Sequence, residues 1–184
     1  RAISQGDRLI VDANSGCVYV NPGGVVAAEY LRLGEERRRE SDRLEGLREL
    51  PALSMDGVPV TLRANIGLLS DVEIALRNGA SGVGLYRTEF PYMVREDFPS
   101  REDQYGLYRR VVERFDGASV TIRTLDVGGD KHLPYAAQAH EENPFMGLRS
   151  VRYSLENPEI FRTQIEAILM AGVHGPVRIL FPLI

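Results

Sequence analysis

At 184 residues, with 43% hydrophobic and 26% charged side chains, the chain has the make-up of an ordinary folded protein and enough length to bury a sizeable core. Its formal charge of −4 argues against a general affinity for nucleic acid, which wants a basic face, but leaves room for an anionic small molecule held by a few local arginines. A single cysteine, Cys17, excludes an internal disulfide and fits a reducing cytoplasm, and no apolar stretch is long enough to span a bilayer.

Strands are expected at 8–12 and 17–20 around Asn14-Ser15-Gly16, whose residue types supply the left-handed backbone of a tight turn. Asn21-Pro22-Gly23-Gly24 closes that hairpin, and Cys17 reads as a small core residue within it rather than a nucleophile. A strongly charged helix follows over 25–50; its stretch 34–42 has almost no apolar residue, so it reads as a solvated connector. Pro51 breaks it, and Asp56-Gly57 forms a turn.

From Val58 onward strands and helices alternate. The strands are expected at 60–66, 82–86, 120–125 and 177–183. Between them, Ser70 opens a helix with Asp71 and Glu73 in its first turn, closed by Asn78-Gly79. Ser100, with Asp103 three residues on, caps a helix reaching Arg114. A short helix is expected over 147–154, and another has Pro158 in its first turn and ends near Gly172. Residues 126–144 carry too many turn formers to be regular, and loops of that length are usually functional. Four strand–helix repeats imply a parallel sheet with right-handed crossovers, either open and doubly wound or part of an eight-stranded barrel. No Gly-rich phosphate loop follows the first strand, which favours the barrel, with its first half present. The chain opens on Arg1, and its last apolar run stops without a cap, so the expectation is a piece of a longer protein.

Two apolar runs, 82–86 and 120–122, lead into Arg87 and Arg123, so two arginines are expected at the carboxyl tips of neighbouring strands, where ligands bind in either architecture. A guanidinium binds phosphate bidentately and does not deprotonate, and two of them would neutralise most of a phosphate monoester. The plainer reading pairs each with Glu89 or Asp126 as structural glue; the matched positions favour anion binding. Arg149 and Arg152 are expected on one helix face, where one could complete the anion site, the surface charge being the default reading of either. Gly128-Gly129-Asp130-Lys131 could form a phosphate-facing lid, although glycine pairs are more often just turns. His132, His140 and His174 fall in loops without metal-ligand spacing and read as solvated.

The chain resembles the phosphoenolpyruvate-utilising enzymes over essentially its whole length. The resemblance is carried by Gly-Val-Gly-Leu-Tyr-Arg-Thr-Glu-Phe over 82–90, Arg-Thr-Leu-Asp-Val-Gly-Gly-Asp-Lys over 123–131 with Leu133-Pro134-Tyr135, Glu-Glu-Asn-Pro-Phe over 141–145 with Gly147 and Arg149, and Ala-Asn-Ile-Gly over 64–67. Within the family it is most similar to the phosphoenolpyruvate–protein phosphotransferases. Phe90-Pro91-Tyr92-Met93 and Phe98-Pro99-Ser100 look more like the nitrogen-regulatory than the sugar-transport branch.

The resemblance implies an α/β fold: residues 58–184 as the first half of a (β/α)8 TIM barrel, residues 1–24 as the last hairpin of a swivelling phosphohistidine domain, and residues 25–57 as a helical linker. It implies that Arg87, Arg123 and Arg149 bind phosphoenolpyruvate, supported by Asn65, Asp130, Lys131 and Asn143. It implies transfer of the phosphoryl group to a histidine and on to a small phosphocarrier protein, HPr-like or its nitrogen-branch counterpart, with Mg2+ as cofactor, in a cytoplasmic homodimer. The family's acceptor histidine lies in a Gly-Gly-x-x-Ser/Cys-His setting that none of the three histidines has, and its magnesium carboxylates and proton-donating cysteine lie beyond the fourth strand. No catalytic or metal-ligating residue is therefore expected in this segment, which alone should be inactive. The competing readings are a dikinase or phosphoenolpyruvate synthase barrel, and a non-catalytic barrel that senses anions or mediates dimer contacts.

Overall fold

The computed structural model describes residues 3–128, 133, 135, 143 and 146–184. The chain divides into two units, the first ending at Leu50 and the second beginning at Pro51. Among the described residues no helix is long and apolar enough to cross a membrane.

In the first unit, strands β1 (Leu9–Asp12) and β2 (Cys17–Val20) pair antiparallel, Asp12 opposite Cys17. Asp12 organises the turn: its carboxylate accepts the Asn14 N–H at 3.0 Å and the Ser15 hydroxyl at 2.7 Å, and Gly16 takes φ +68°. Tyr30 donates to the same carboxylate at 2.8 Å. These bonds, that of Ser15 foremost, hold the Asp12 carboxyl down at about 2. Cys17 is exposed, not a core residue as its apolar neighbours suggested, because a two-stranded ribbon leaves most of β2 uncovered. Helix α1 (Gly24–Glu45) buries Ala27 and lines its surface with Arg32–Glu29, Arg32–Glu36 and Arg43–Glu40 pairs, as a solvated helix does. It stops short of residue 50 because turn amides take its last carbonyls, Gly46 N–H on Asp42 and Leu47 N–H on Leu44.

The second unit holds a four-stranded parallel sheet of β3 (Ala64–Ile66), β4 (Val83–Tyr86), β5 (Val120–Arg123) and β6 (Val177–Leu180), in that spatial order. Chain neighbours are sheet neighbours, without the reversal of order that marks a doubly wound sheet. Period-2 alternation sends Ile66, Val120, Ile122 and Ile179 to one face, where they share a core with Val72 of α2 (Leu69–Arg77), Val111 of α4 (Arg101–Arg114) and Ile168 of α6 (Pro158–Ala171). Asn65, Thr121, Arg123 and Arg178 take the alternate positions, outside that core. Two short helices, α3 (Glu89–Met93) and α5 (Val151–Glu156), complete the unit.

Several sequence expectations hold closely. Ser100 caps α4 by accepting the Asp103 N–H, α4 ends at Arg114, and Pro158 opens α6. Others need correction. The strand expected from residue 60 begins at Ala64, because Val60 turns back to donate to Ala52 and Leu53 pairs with Pro59 around the Asp56-Gly57 turn. Leu68, not Ser70, precedes the first turn of α2, where the Asp71 carboxylate accepts the Gly67 and Leu68 N–H groups, each at 2.9 Å. The helix expected over 147–154 begins only at Val151, since Ser150 takes φ +53°. The last strand ends at Leu180 rather than residue 183, where Leu183 takes φ +56°. Helix α3 was not anticipated. His174, read as solvated, sits in a 3-10 turn with its ring nitrogen 2.9 Å from the Tyr105 hydroxyl and 3.4 Å from Glu113 on its other side.

Gly82 enters β4 at φ +144°, and a Cβ there would stand 2.6 Å from the Ser119 carbonyl oxygen, the acceptor of the Val83 N–H. Gly82→Ala is expected to cost about 2–3 kcal/mol through strain and displacement of β4 from β5. Thermal unfolding followed by circular dichroism checks this; an unchanged melting curve would contradict the contact.

Candidate functional site

The carboxyl edge of the sheet gathers three arginines. Arg87 follows β4 directly, and its N–H donates to the Ile66 carbonyl at 2.9 Å. Arg123 ends β5 on the face turned away from the helix core. The two tips are tied together, for the Thr88 hydroxyl donates to the Arg123 carbonyl at 2.9 Å. Glu89, first residue of α3 and 4% exposed, forms an ion pair with Arg123 through Nη2, and the same nitrogen lies 3.4 Å from an Asp126 carboxylate oxygen. Asp126 also faces Arg149, whose Nε lies 3.3 Å from it, and accepts a hydrogen bond from the Ser150 hydroxyl. Charges thus alternate along Glu89, Arg123, Asp126 and Arg149.

Arg87 stands differently. It opens on a cleft of about 270 Å³ lined by Gly67, Leu68, Asp71, Glu89, Phe90 and Met93, and among the described residues it makes no ion pair. The Asp71 carboxyl in that cleft is held below its usual range, first by the Gly67 and Leu68 N–H groups and with a further contribution from the Arg87 charge. Glu89 therefore lines the Arg87 cleft and also binds Arg123. Among the described residues Arg123 Nε has no hydrogen-bond partner, leaving a donor beside the pair. Such a set can grip an anion bidentately, the anion competing with Glu89 and Asp126 for the guanidinium groups.

Backbone geometry delivers Arg149. Gly128 takes φ +107°, and a Cβ on it would stand 2.6 Å from the Leu148 carbonyl oxygen, so its lack of a side chain serves close packing. The Ser150 N–H donates to the Val127 carbonyl at 3.0 Å. Residues 126–128 are thereby laid against 148–150, and Arg149 reaches Asp126 from the irregular turn before α5, not from the helix expected of it. Arg152, inside α5, spends its guanidinium on the Met146 and Gly147 carbonyls and does not join the cluster. Asn65 lies exposed in β3; Asn143 is exposed and its carbonyl accepts the Met146 N–H. Asp130 and Lys131 lie outside the described residues, as do His132 and His140.

Sequence reasoning missed what holds the tips in place. Gln164 of α6 and Gln104 of α4, each 1% exposed, anchor a buried polar network with Thr88, Tyr92 and Tyr108. The signal was present: each glutamine falls in the apolar stripe of its helix, Gln104 with Tyr108 and Val111, Gln164 with Ile168 and Ala171. A buried amide in such a stripe must be satisfied by specific partners. A larger groove of about 600 Å³ lies within the first unit against β1 and α1, but most of its lining residues are apolar or backbone-forming and it lacks the arginine cluster. The chemistry favours the smaller cleft.

A family model described as PEP-utilising enzyme, PEP-binding domain, matches residues 41–184. The phosphoenolpyruvate-protein phosphotransferase of Staphylococcus carnosus is 44% identical over 182 residues, covering 99% of this chain and 32% of that protein. Those of Listeria innocua and Geobacillus stearothermophilus are 43% and 44% identical over 183 and 184 residues, again covering 32% of their lengths and 100% and 99% of this chain. The chain thus spans about a third, 32%, of the length of the curated relatives it matches.

Glu89→Gln would remove one carboxylate from a guanidinium that is 16% exposed. A loss of about 3 kcal/mol is expected, because a buried charge is left undercompensated. Urea unfolding checks it, and added inorganic phosphate should restore more stability to this variant than to the parent chain; equal stability would contradict the pair. The buried tyrosines give a pH dependence. Burial pushes Tyr86 up to about 12 and also raises Tyr92 and Tyr108. Unfolded tyrosine ionises near 10, so the folded chain keeps protons that the unfolded chain releases; stability is full below about pH 10 and falls as pH rises from there towards 12. Urea midpoints across that window should decline, and phenolate absorbance of the native protein should show a late-titrating group; uniform titration near 10 would contradict their burial.

Proposed function

The chain belongs to the phosphoenolpyruvate-utilising enzyme family, and we propose that its second unit carries the phosphate side of a phosphoenolpyruvate site in a phosphoenolpyruvate–protein phosphotransferase. Arg87 and Arg123 bind the phosphoryl oxygens from two neighbouring strand tips, and Arg149, which shares Asp126 with Arg123, is the third arginine of the grip. The single observation that supports this reading is Glu89, which lines the Arg87 cleft and pairs with Arg123, beside the Thr88–Arg123 tie between the two strand tips. In that setting their charge stabilises the equatorial oxygens while the phosphoryl group moves, and positioning with electrostatics accounts for most of such catalysis.

The parallel sheet in sequential order, with helices packed on one face and the arginines at the carboxyl ends, supports reading the unit as the first half of a (β/α)8 barrel. The hairpin of β1 and β2 is then the end of a swivelling phosphohistidine domain, and residues 25–57, with the solvated α1, its linker. The full-length protein passes the phosphoryl group to a histidine on the swivelling domain and then to a small carrier protein, as a homodimer. The Phe90–Met93 stretch does not decide between branches, since Tyr92 is accounted for by packing, 1% exposed and bonded to Gln104.

Magnesium is the family's expected partner. Among the described residues no cluster of three His, Cys, Asp or Glu side chains could hold it, and Glu89 and Asp126 are engaged by arginine. These two carboxylates therefore do not fit the ion, and the family resemblance puts its ligands in sequence outside this segment.

In the full-length protein, Arg87→Lys and Arg123→Lys are each expected to lower phosphoryl transfer from labelled phosphoenolpyruvate by about 10²–10³-fold, because a point charge does not reproduce the fork. The 184-residue chain alone is expected to show no turnover, having no histidine in the acceptor setting. Unchanged transfer in both lysine variants would favour a non-catalytic barrel instead.

A further inference from the structure

Gln164 projects from α6 into the gap behind the β4 and β5 tips, and its amide is satisfied in one way. The Leu125 N–H can only donate, so the amide oxygen faces it, at 2.9 Å. The amide nitrogen then faces Thr88 Oγ1 at 3.2 Å and the Tyr108 hydroxyl at 3.3 Å. Thr88 in turn donates to the Arg123 carbonyl at 2.9 Å, and Tyr108 donates to Gln104 Oε1 at 3.0 Å. Gln104 also accepts from Tyr92 at 2.9 Å and donates to the Pro99 carbonyl at 3.0 Å. The three hydroxyl protons and the two Gln164 amide protons each have one acceptor, so the network has one arrangement.

Its position decides its use. Thr88 adjoins Arg87, and Leu125 stands two residues past Arg123. One side chain, 1% exposed, thereby bonds the Thr88 hydroxyl next to Arg87 and the Leu125 backbone beyond Arg123, and through Tyr108, Gln104 and Tyr92 it reaches α3, which bears Glu89. We propose that Gln164 is the positioning residue of the phosphate grip: acting through Thr88 and the Leu125 N–H, it sets the separation of Arg87 and Arg123. It touches no substrate. The inference rests on the reading of those arginines given above and goes beyond it by assigning what holds them in register.

The test uses the full-length protein and compares melting temperature with KM and kcat for phosphoenolpyruvate. Gln164→Met fills the same space without the bonds, and Thr88→Val removes the hydroxyl link alone, so the second decides should the first fail to fold. Both are expected to raise KM about tenfold or more, since small misplacement of binding groups is costly. Gln104→Met, which breaks the outer part of the network, is expected to lower the melting temperature and to raise KM less than either. Arg123→Lys run alongside separates the two levels. If it abolishes transfer while folded Gln164→Met and Thr88→Val bind as the parent does, the positioning role is overturned; a rise in KM for Gln104→Met as large as theirs overturns it too. If Arg123→Lys transfers normally, the reading of the arginines fails first.

Discussion

Arg123 is held between two nearly buried carboxylates, Glu89 and Asp126, and the carboxyl edge of the sheet is arranged around that ion pair. Charges so far from water are tolerated only when paired and hydrogen-bonded, and removing one partner typically costs several kcal/mol. The surrounding structure supplies what the pairing needs. Helix α3 presents Glu89, the Ser150 hydroxyl orients Asp126, and the Thr88 hydroxyl takes up the Arg123 carbonyl. An anion binding at this edge would meet an exposed Arg87 and an Arg123 already paired, and at Arg123 it would compete with carboxylates.

The split between stability and chemistry follows from strand periodicity. Within β5, Val120 and Ile122 face the helices and build the core, while Thr121 and Arg123 stand on the alternate face. A shift of one residue in the pairing of β5 with β6, where Ile122 now lies opposite Ile179, would bury Arg123 and expose Ile122. The core therefore enforces the register that the site requires. The buried glutamines add a second lock, since their amides are satisfied only when α4, α6 and the two strand tips are in place together.

Much of this was legible in the residues. Alternating apolar runs located all four strands of the sheet, Ser100 and Pro158 marked two helix starts, and Arg87 and Arg123 were singled out from their place after such runs. Errors came where long-range partners override local signals. Residues 58–60 have strand-like side chains but fold back on 52–54, and Ser150 adopts a left-handed backbone that cuts α5 short. Cys17 looked apolar in sequence and is exposed, because periodicity cannot tell whether a ribbon has a covering layer. Of the two sequence readings of Arg123, the pairing with acids is what the structure shows, and one of those acids, Glu89, also lines the cleft that Arg87 faces. Gln104 and Gln164 were passed over because their value lies in partners up to 76 residues distant.

A structure of the full-length protein bound to a phosphoenolpyruvate analogue that cannot transfer its phosphoryl group measures the central claim most directly. Phosphate oxygens within hydrogen-bonding distance of both the Arg87 and Arg123 guanidinium groups are the expected result. A phosphate seated elsewhere, with Arg123 still closed on Glu89 and Asp126 and Arg87 turned to solvent, would contradict it.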